Sequence, residues 1–260
     1  MSETAHGTAS VSIIVPVLNE VAVIQASLTR LRTDFPDCEL VVVDGGSTDG
    51  TVAAAAPLAR VLRTGRGRAL QMNTGAGHTS GEVLWFVHVD LVVDRAALGQ
   101  LRAALDDPGT VGGGLTLCFD RRTRGLDYLA RASNIRARRL HHIFGDQAMF
   151  VRRRLFDAVG GFPPLPLMED LELSRRLHQQ GHLVLLPATS TASARRFTEH
   201  GTTQMVVFMQ YLKLLYFAGV SPERIQDRYD RGPLLSRHRT HRFHARPSLN
   251  EEHTRAAPLD

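Results

Sequence analysis

The sequence predicts a single α/β domain, doubly wound, in which a mainly parallel sheet lies between two layers of helices. Short runs rich in β-branched residues at 11–17, 39–44 and 83–89 are typical of strands that are buried on both faces. Helical patterns separate these runs, and such alternation is typical of parallel βαβ units with right-handed crossovers. At 260 residues and 43% hydrophobic content, the chain is long enough to bury one sizeable core.

The predicted helices follow from the spacing of apolar residues. Residues 21–31 carry four apolar side chains at helical spacing, and residues 51–59 follow an Asp-Gly pair that suits a helix start. The second half is less regular. It contains a basic amphipathic stretch at 126–140, a short strand at 148–152 and a helix that begins near Glu169.

The two ends of the chain differ in composition from the predicted domain, which covers residues 11–220. Residues 1–10 are polar and contain neither a basic n-region nor an apolar h-region, so we expect a disordered N-terminus and a cytoplasmic protein. Residues 231–260 are polar and rich in Arg and His, and they predict a disordered tail. Because this tail has no aromatic interleaving beyond Phe243, we expect no binding of nucleic acid.

The basic side chains exclude two classes of nucleotide-binding protein. The net charge is +5, and Lys213 is the only lysine, so nearly all of the positive charge is arginine. A Walker A loop requires Gly-Lys-Ser/Thr and a protein kinase requires Val-Ala-Ile-Lys, and the sequence contains neither. Cys38 and Cys118 are far apart and form no CxxC pair, which argues against a disulfide framework or a cysteine zinc site.

Carboxylates follow three of the predicted strands. The first strand leads into Asn19-Glu20, the second ends at Asp44, and the third ends in His88-Val89-Asp90. In open α/β sheets, ligands bind beyond the carboxyl ends of the strands. An isolated carboxylate there is usually a helix cap, but three on one edge repel each other unless a cation or hydrogen-bond donors lie among them. The sequence therefore predicts a binding site at this edge.

Two glycine-containing segments suit a nucleotide. Asp44-Gly45-Gly46-Ser47 combines flexible glycines with polar side chains, which allows the backbone to approach a base or ribose, although alone it is equally a turn before a helix cap. Residues 65–73 lack the third glycine of a dinucleotide fingerprint. Arg68 in this segment opens a predicted helix, where a guanidinium and the helix N-terminus together suit a diphosphate.

Five motifs occur in the order seen in family 2 glycosyltransferases, and the sequence resembles that family over residues 11–220. The motifs are Ile13-Ile14-Val15-Pro16-Val17-Leu18-Asn19-Glu20, Asp44-Gly45-Gly46-Ser47-Thr48-Asp49, His88-Val89-Asp90, Gly145-Asp146-Gln147 and Met168-Glu169-Asp170. The resemblance implies a GT-A fold with a C-terminal apolar helix. It also implies an inverting, metal-dependent transfer of a sugar from a nucleotide diphosphate sugar, commonly a UDP-sugar, to an acceptor hydroxyl.

The resemblance also implies roles for individual residues on the donor side. The residues expected to contact the nucleotide are Pro16, Asn19, Glu20, Asp44, Gly45 and Arg68. Asp90 would bind the divalent metal, Mn²⁺ or Mg²⁺. The family's DxD motif has His88 at its first position here, as in a bacterial subgroup with a His-x-Asp triplet. His88 is either a metal ligand, which suits manganese better than magnesium, or a group that contacts ribose or packs. His200 is a further candidate for a metal or phosphate contact.

On the acceptor side, the resemblance makes Asp170 the general base that removes the proton of the acceptor hydroxyl. Glu169, Gly145, Asp146 and Gln147 would line the sugar or acceptor pocket. The alternative for the acidic pair is a first helical turn favoured by the helix dipole, and the alternative for Gly-Asp-Gln is a simple turn.

Two rival functions remain open. A nucleotidyltransferase uses a similar sheet and metal, but the basic signature that follows its first strand is absent after Val17. A non-catalytic nucleotide-sugar-binding protein would be expected to have lost Asp90 or Asp170, and both are present.

The apolar run at residues 205–217 bears on where the protein works. It is interrupted by Gln210 and Lys213, and it is shorter than the roughly 20 residues that cross a bilayer. It is either a core helix or a helix that lies at the membrane surface. Its aromatic residues and the Arg-rich stretches nearby favour the second interpretation. The protein would then be peripheral on the inner face of the cell membrane, with a lipid, isoprenoid or cell-envelope precursor as acceptor.

Overall fold

The computed structural model describes residues 9–195 and 202–232. Within these residues, eight strands form one sheet in the order β3-β2-β1-β4-β7-β6-β8-β5. The strands are β1 (Val11–Val17), β2 (Glu39–Asp44), β3 (Arg60–Arg63), β4 (Val83–Phe86), β5 (Leu91–Val93), β6 (Thr110–Phe119), β7 (Phe150–Arg152) and β8 (His182–Ala192). The predicted disordered ends fall almost wholly outside the described residues, as does His200.

Nine helices accompany these strands in the described part of the chain. They are α1 (Val21–Asp34), α2 (Thr51–Ala55), α3 (Arg68–Gly77), α4 (Ala97–Leu105), α5 (Arg124–Leu140), α6 (Arg153–Ala158), α7 (Glu169–His178), α8 (Thr202–Phe217) and α9 (Pro222–Arg231). A single 3-10 turn at Gly145–Gln147 precedes β7. The prediction of a mainly parallel sheet is confirmed, since the β1–β2, β2–β3, β1–β4 and β6–β8 pairs are parallel, against three antiparallel pairs.

Alternate residues of the central strands pack on opposite faces of the sheet. Val15 of β1 packs with Ile24 and Leu28 of α1, whereas its neighbour Ile14 packs with Met72 of α3 on the other face. Helices α1, α2 and α4 cover the first face, and α3, α5, α6 and α7 cover the second. This double burial explains why the strands read as continuous apolar runs, and it gives the three-layer αβα architecture.

Pro16 is tolerated inside the central strand β1 because of where that residue points. The carbonyl of Ile14 accepts a hydrogen bond from Val87, on the β4 side, and the carbonyl of Val17 accepts one from Gly45, on the β2 side. The backbone N–H and C=O groups of successive residues face alternate neighbouring strands. The backbone nitrogen of Pro16 therefore faces the β4 side, at a point past the last residue of β4. The missing N–H of proline therefore removes no ladder hydrogen bond.

Some element boundaries differ from the predictions. The predicted third strand was too long, because a turn in which Leu91 N–H donates to the carbonyl of His88 ends β4 at Phe86. The helix that was predicted over 51–59 ends at Ala55, and β7 begins at Phe150. The early end of β4 carries His88 and Asp90 away from the ladder and onto the carboxyl edge of the sheet.

The last two described helices pack against the start of α7 in a small cluster of their own. Met168, Leu171, Leu212 and Ile225 are buried there. One face of α8 is therefore buried, whereas Val207 and Leu214 on the opposite face are 63% and 68% exposed. Among the described residues, no helix combines the length and the apolar character needed to cross a membrane.

Candidate active site

Hydrogen bonds join the loop after β1 to the loop after β2. The N–H of Asn19 donates to Ser47 Oγ at 2.8 Å, and Asn19 Oδ1 accepts from the N–H of Thr48 at 2.8 Å. The N–H of Glu20 donates to Thr51 Oγ1 at 2.8 Å. Asn19 adopts a left-handed backbone conformation, with φ 56°, which asparagine tolerates better than most residues. These contacts hold Asn19 and Glu20 at the carboxyl edge of the sheet.

Asp44 ends β2 and is buried at the base of this loop pair. Its Oδ2 accepts hydrogen bonds from the N–H groups of Gly46 at 3.0 Å and Ser47 at 3.1 Å. The carboxylate thereby fixes the shape of the glycine turn.

Gln71 of α3 joins the ends of β1 and β2 by hydrogen bonds. Its buried Nε2 donates to the carbonyls of Val17 at 2.7 Å and Val43 at 2.8 Å. A Cβ on Gly45 would lie only 3.0 Å from the Gln71 amide, so a side chain there would have to displace it. Glycine at position 45 therefore leaves room for the Gln71 amide, and the left-handed conformation of the turn falls on Gly46, at φ 96°.

Arg68 brings positive charge to the same edge. It is the first residue of α3, and its NH1 lies 3.9 Å from Oε1 of Glu169, with the Arg68 side chain 44% exposed and that of Glu169 only 4%. Desolvation works against the charge of Arg68, but interactions with the carboxylates of Glu169, Asp170 and Asp90 and with Tyr229 outweigh it and raise its pKa, and Glu169 contributes most. Glu169 thus lies beside the Arg68 guanidinium, and Asp170 and Asp90 are near enough to act on its charge.

Asp170 is held by backbone hydrogen bonds. Its Oδ2 accepts from the N–H of Gly145 at 2.8 Å, and its Oδ1 accepts from the N–H of Leu171 at 2.7 Å. The preceding Met168 is in a left-handed conformation at φ 68°, which turns the chain into α7. Both carboxylate oxygens have a fixed direction, and each keeps a further lone pair.

His88 packs directly on the Gly145 loop. A Cβ added to Gly145 would lie 2.5 Å from Cε1 of the His88 ring, so only glycine permits this approach. Asp90, two residues further on, is exposed. The His-x-Asp segment and the Gly-Asp-Gln segment, which are far apart in sequence, therefore meet beside Asp170.

The other two members of the Gly-Asp-Gln segment differ in environment. Gln147 is completely buried, and its side chain accepts hydrogen bonds from Arg136 at 3.2 Å and from the Phe144 N–H at 3.3 Å. It therefore shapes the loop from inside and does not line a pocket. Burial raises the pKa of Asp146, and its Oδ1 is buried without a hydrogen-bond partner among the described residues.

Two further cations lie against one aromatic ring at this loop. The guanidinium carbon of Arg136, on α5, lies 3.6 Å from the centroid of Phe144, and Nζ of Lys213, on α8, lies 5.0 Å from it. Burial lowers the pKa of Arg136, against the pull of Asp146 and Asp170. Burial and repulsion by Arg136 lower the pKa of Lys213 to about 8, although Asp146 and Asp170 oppose this shift.

Comparisons to known proteins identify the family. The family model described as glycosyl transferase family 2 matches residues 12–160, which is more than half of the chain. The chain belongs to glycosyltransferase family 2. A curated relative of this family 2 protein, glucosyl-3-phosphoglycerate synthase from Mycobacterium tuberculosis, is 36% identical over 105 residues. That match covers 35% of this chain and 32% of the relative, so the chain spans about a third of the curated relative's length.

Solved structures share the fold of this family 2 glycosyltransferase. A mannosyltransferase from Pyrobaculum calidifontis in complex with GDP-Man and Mn²⁺ gives a TM-score of 0.66 at 21% identity, over 84% of this chain and 67% of that one. The M. tuberculosis synthase in complex with phosphoglyceric acid gives 0.56 at 19% identity, over 82% and 81%. TarS from S. aureus in complex with UDP-GlcNAc gives 0.55 at 20% identity, over 71% and 58%. The predicted GT-A fold is confirmed.

Several residues of the candidate site escaped the sequence analysis. Gln71, Arg136 and Phe144 lie outside the recognised motifs, and only the folded chain brings them to the site. Gln71 did carry a signal, because it is a polar residue between the buried helical positions Ala69 and Met72. Lys213 carried one too, as the single lysine of the sequence inside an otherwise apolar run.

Proposed function

We propose that this protein is an inverting glycosyltransferase that transfers a sugar from a nucleoside diphosphate sugar to a hydroxyl of an acceptor. The observation that carries the proposal is the convergence of Arg68, Asp90, Glu169 and Asp170 at the carboxyl edge of the sheet. A guanidinium suits the diphosphate of the donor, and a fixed carboxylate suits the proton of the acceptor. The bound sugars and nucleotides named for the solved relatives support a donor of this class.

The nucleoside end of the donor binds to the joined loops after β1 and β2. Asn19 and Glu20 provide polar groups on one loop, and the exposed Gly46, next to the buried Gly45, leaves backbone uncovered on the other. Asp44 and Pro16 are buried, so they act mainly by supporting this surface. The donor nucleotide is expected to be UDP or GDP, the two nucleotides bound in solved relatives.

The diphosphate lies between Arg68 and Asp90. The N-terminus of α3 adds its N–H groups and the positive end of its dipole to the Arg68 guanidinium. Asp90 is an exposed carboxylate, which fits Mn²⁺ or Mg²⁺ because these ions are commonly held by one or two carboxylates together with substrate phosphates. Such a metal, which solved relatives contain, would neutralise charge on the departing diphosphate. His88 packs on Gly145, so its role is to hold that loop.

Asp170 acts as the general base of a single in-line displacement. It takes the proton of the acceptor hydroxyl while that oxygen attacks the anomeric carbon. The bond from the anomeric carbon to the diphosphate oxygen breaks, and the nucleoside diphosphate leaves with the electron pair. Because attack and departure occur on opposite faces, the anomeric configuration inverts. The hydrogen bonds from Gly145 and Leu171 aim the Asp170 carboxylate before substrate arrives.

Replacement of the base tests this mechanism. Asp170→Asn keeps the acceptor capacity of one oxygen for the Gly145 N–H but removes the basic charge, so turnover should fall by about 100-fold or more. Donor binding should persist. Release of nucleoside diphosphate, followed by chromatography, measures turnover, and Asp157→Asn, at an exposed position on α6, is the control. Near-normal turnover of Asp170→Asn contradicts the proposal. Release of pyrophosphate from a nucleoside triphosphate in the presence of a sugar 1-phosphate would instead identify a nucleotidyltransferase, and donor binding without any product would identify a binding protein.

We also propose that the enzyme works on the inner surface of a membrane, on a lipid, isoprenoid or cell-envelope acceptor. Large exposed apolar side chains concentrate on the neighbouring helices α5 and α8: Tyr128, Ile135, Leu140, Val207, Tyr211, Leu214 and Phe217. On α5, exposed Arg124, Arg131 and Arg138 alternate with Tyr128 and Ile135 along a single stripe of the helix. Such a mixture of arginine and apolar side chains suits an anionic lipid surface.

A further inference from the structure

Trp85 is the only tryptophan of the sequence, and it is completely buried in β4. Its ring packs edge-to-face against Phe35, with 5.0 Å between the ring centroids. Packing of this kind requires only a large apolar ring, which phenylalanine also provides. Tryptophan adds an indole N–H, and a buried N–H needs an acceptor. The acceptor here is the carbonyl oxygen of Ala148, 3.0 Å from the indole nitrogen.

Ala148 is a strained residue at the end of the Gly145–Gln147 turn. It is completely buried, and its backbone is left-handed, with φ 46° and ψ 65°. An alanine avoids this conformation because its Cβ lies too close to the backbone, whereas glycine adopts it freely. Such strain persists only where surrounding contacts oppose its release. The hydrogen bond from Trp85 is one such contact, because it fixes the direction of the Ala148 carbonyl.

Backbone hydrogen bonds connect Ala148 to Asp170 through the same turn. The N–H of Ala148 donates to the carbonyl of Gly145 at 3.2 Å. Within the turn, the N–H of Gln147 donates to the carbonyl of Phe144 at 2.9 Å. The N–H of Gly145 in turn donates to Oδ2 of Asp170 at 2.8 Å. A rotation of the backbone at Ala148 therefore disturbs the turn and changes the direction of the Gly145 N–H.

We propose that Trp85 is a positioning residue for the general base Asp170. Its indole N–H fixes the strained end of the turn, and the turn keeps the Gly145 N–H directed at the carboxylate. Trp85 itself is buried and acts only through this turn. This role rests on the proposed glycosyl transfer and gives it a residue outside the recognised motifs. Since β4 also leads into Asp90, one strand sets the positions of groups on both sides of the reaction.

The Gly145 amide can be observed alone by NMR, because Phe144-Gly145 is the only Phe-Gly pair in the sequence. Protein labelled with ¹³C at the phenylalanine carbonyl and with ¹⁵N in glycine therefore gives one correlated amide signal. Trp85→Phe keeps a large ring and removes the N–H. The Gly145 amide should exchange with water at least about 10-fold faster in this variant, the scale of one lost hydrogen bond. Asp170→Ala gives the exchange rate of the amide without its acceptor.

Turnover, measured as release of nucleoside diphosphate, and a rescue variant separate positioning from packing. Trp85→Phe should lower kcat by roughly 10- to 100-fold, because a displaced catalytic group is less effective, and should leave the KM for the donor unchanged. Adding Ala148→Gly should restore slow exchange of the Gly145 amide and most of kcat, since glycine takes the left-handed conformation without strain. Phe35→Leu is the control, because it changes the packing of the same indole ring and keeps its N–H. It should leave exchange and kcat as in the wild type.

Replacement of the single tryptophan by benzothienylalanine, in which sulfur takes the place of the indole N–H, tests the same bond with the ring shape kept. It should accelerate exchange as Trp85→Phe does, and it decides the proposal if Trp85→Phe does not fold. Wild-type exchange in the substituted protein overturns the proposal, and so does equal acceleration in Phe35→Leu or a lack of rescue by Ala148→Gly. If exchange follows the prediction but the wild type releases no nucleoside diphosphate from UDP- or GDP-sugars, the proposed glycosyl transfer is wrong and the positioning of Asp170 by the turn is not.

Discussion

The negative charge of the buried Glu169 lowers the stability of the folded protein. Burial raises its pKa to about 7, the negative charge of Asp170 adds to this, and Arg68 only partly opposes it. Because the folded pKa lies above the unfolded value, the native state binds more protons between about pH 4.5 and 7. Stability therefore falls as pH rises through this window, and the penalty is complete above pH 7.

Glu169→Gln should remove this penalty. The free energy of unfolding of the variant, relative to the wild type, should increase between pH 4.5 and 8 by roughly 1 to 3 kcal/mol. Urea unfolding at the two pH values measures it. Asp227→Asn, which removes a carboxylate at an exposed position on α9, should show no comparable change. A difference between Glu169→Gln and the wild type that is the same at both pH values would show that Glu169 is not the titrating group.

At the scale of single elements, α5 and α8 each have one buried face and one exposed face. Leu126 and Leu129 of α5 and Leu212 of α8 are buried, while the outer faces carry exposed apolar groups. The inner faces also deliver Arg136 and Lys213 to the site. The core interpretation of residues 205–217 is therefore right for the inner face of α8, and contact of its outer face with a membrane surface stays a prediction.

The membrane proposal predicts that the outer faces bind anionic vesicles. At low salt the wild type should float with vesicles of phosphatidylcholine and phosphatidylglycerol, but not with phosphatidylcholine alone. Arg131→Glu with Arg138→Glu should weaken the partition by at least about 30-fold, since each basic residue near the surface contributes about 1 kcal/mol. Val207→Ser with Leu214→Ser should weaken binding to the same vesicles.

The matched controls lie on other faces of the molecule. Arg30→Glu changes an exposed arginine on α1, and Val92→Ser changes an exposed apolar side chain on β5, which is 42% exposed. Both should float as the wild type does. If the wild type remains in the soluble fraction with anionic vesicles at low salt, peripheral attachment is wrong and a soluble acceptor becomes the better hypothesis.

For the whole molecule, binding of the donor and metal should appear as added stability. A ligand that binds only the native state at 100 times its Kd adds about 2.7 kcal/mol, which raises the Tm of a protein of this size by roughly 5 to 10 °C. We expect this shift with UDP or GDP plus Mn²⁺. EDTA, or the change Asp90→Asn, should remove most of it, whereas Asp157→Asn should not. An unaltered shift in excess EDTA would contradict a metal held at Asp90.

Features of the fold that depend on neighbouring residues could be predicted from the sequence, whereas contacts between residues far apart in the sequence could not. The first and last residues of β1 and β2 are the ones that the sequence predicts, because a strand that is buried on both faces requires an unbroken run of apolar residues. The edge that carries Asp44 and Asp90 followed from the strands alone, since ligands bind at their carboxyl ends. The environments of Gln147 and Lys213 were beyond reach, because they depend on helices that are remote in sequence and meet only in the folded chain.

The hydrogen bonds between the loops after β1 and β2 have a consequence for the timing of catalysis. Asn19 contacts Ser47 and Thr48 through groups of the chain itself, so these loops are held by contacts that do not involve a donor, and they should lose little conformational entropy when one binds. The cost of ordering them is met once, during folding, and is not repeated in each catalytic cycle. Donor capture at this end of the site should therefore be limited by diffusion and desolvation and not by loop closure. Calorimetry of nucleotide binding should accordingly show only a small unfavourable entropy.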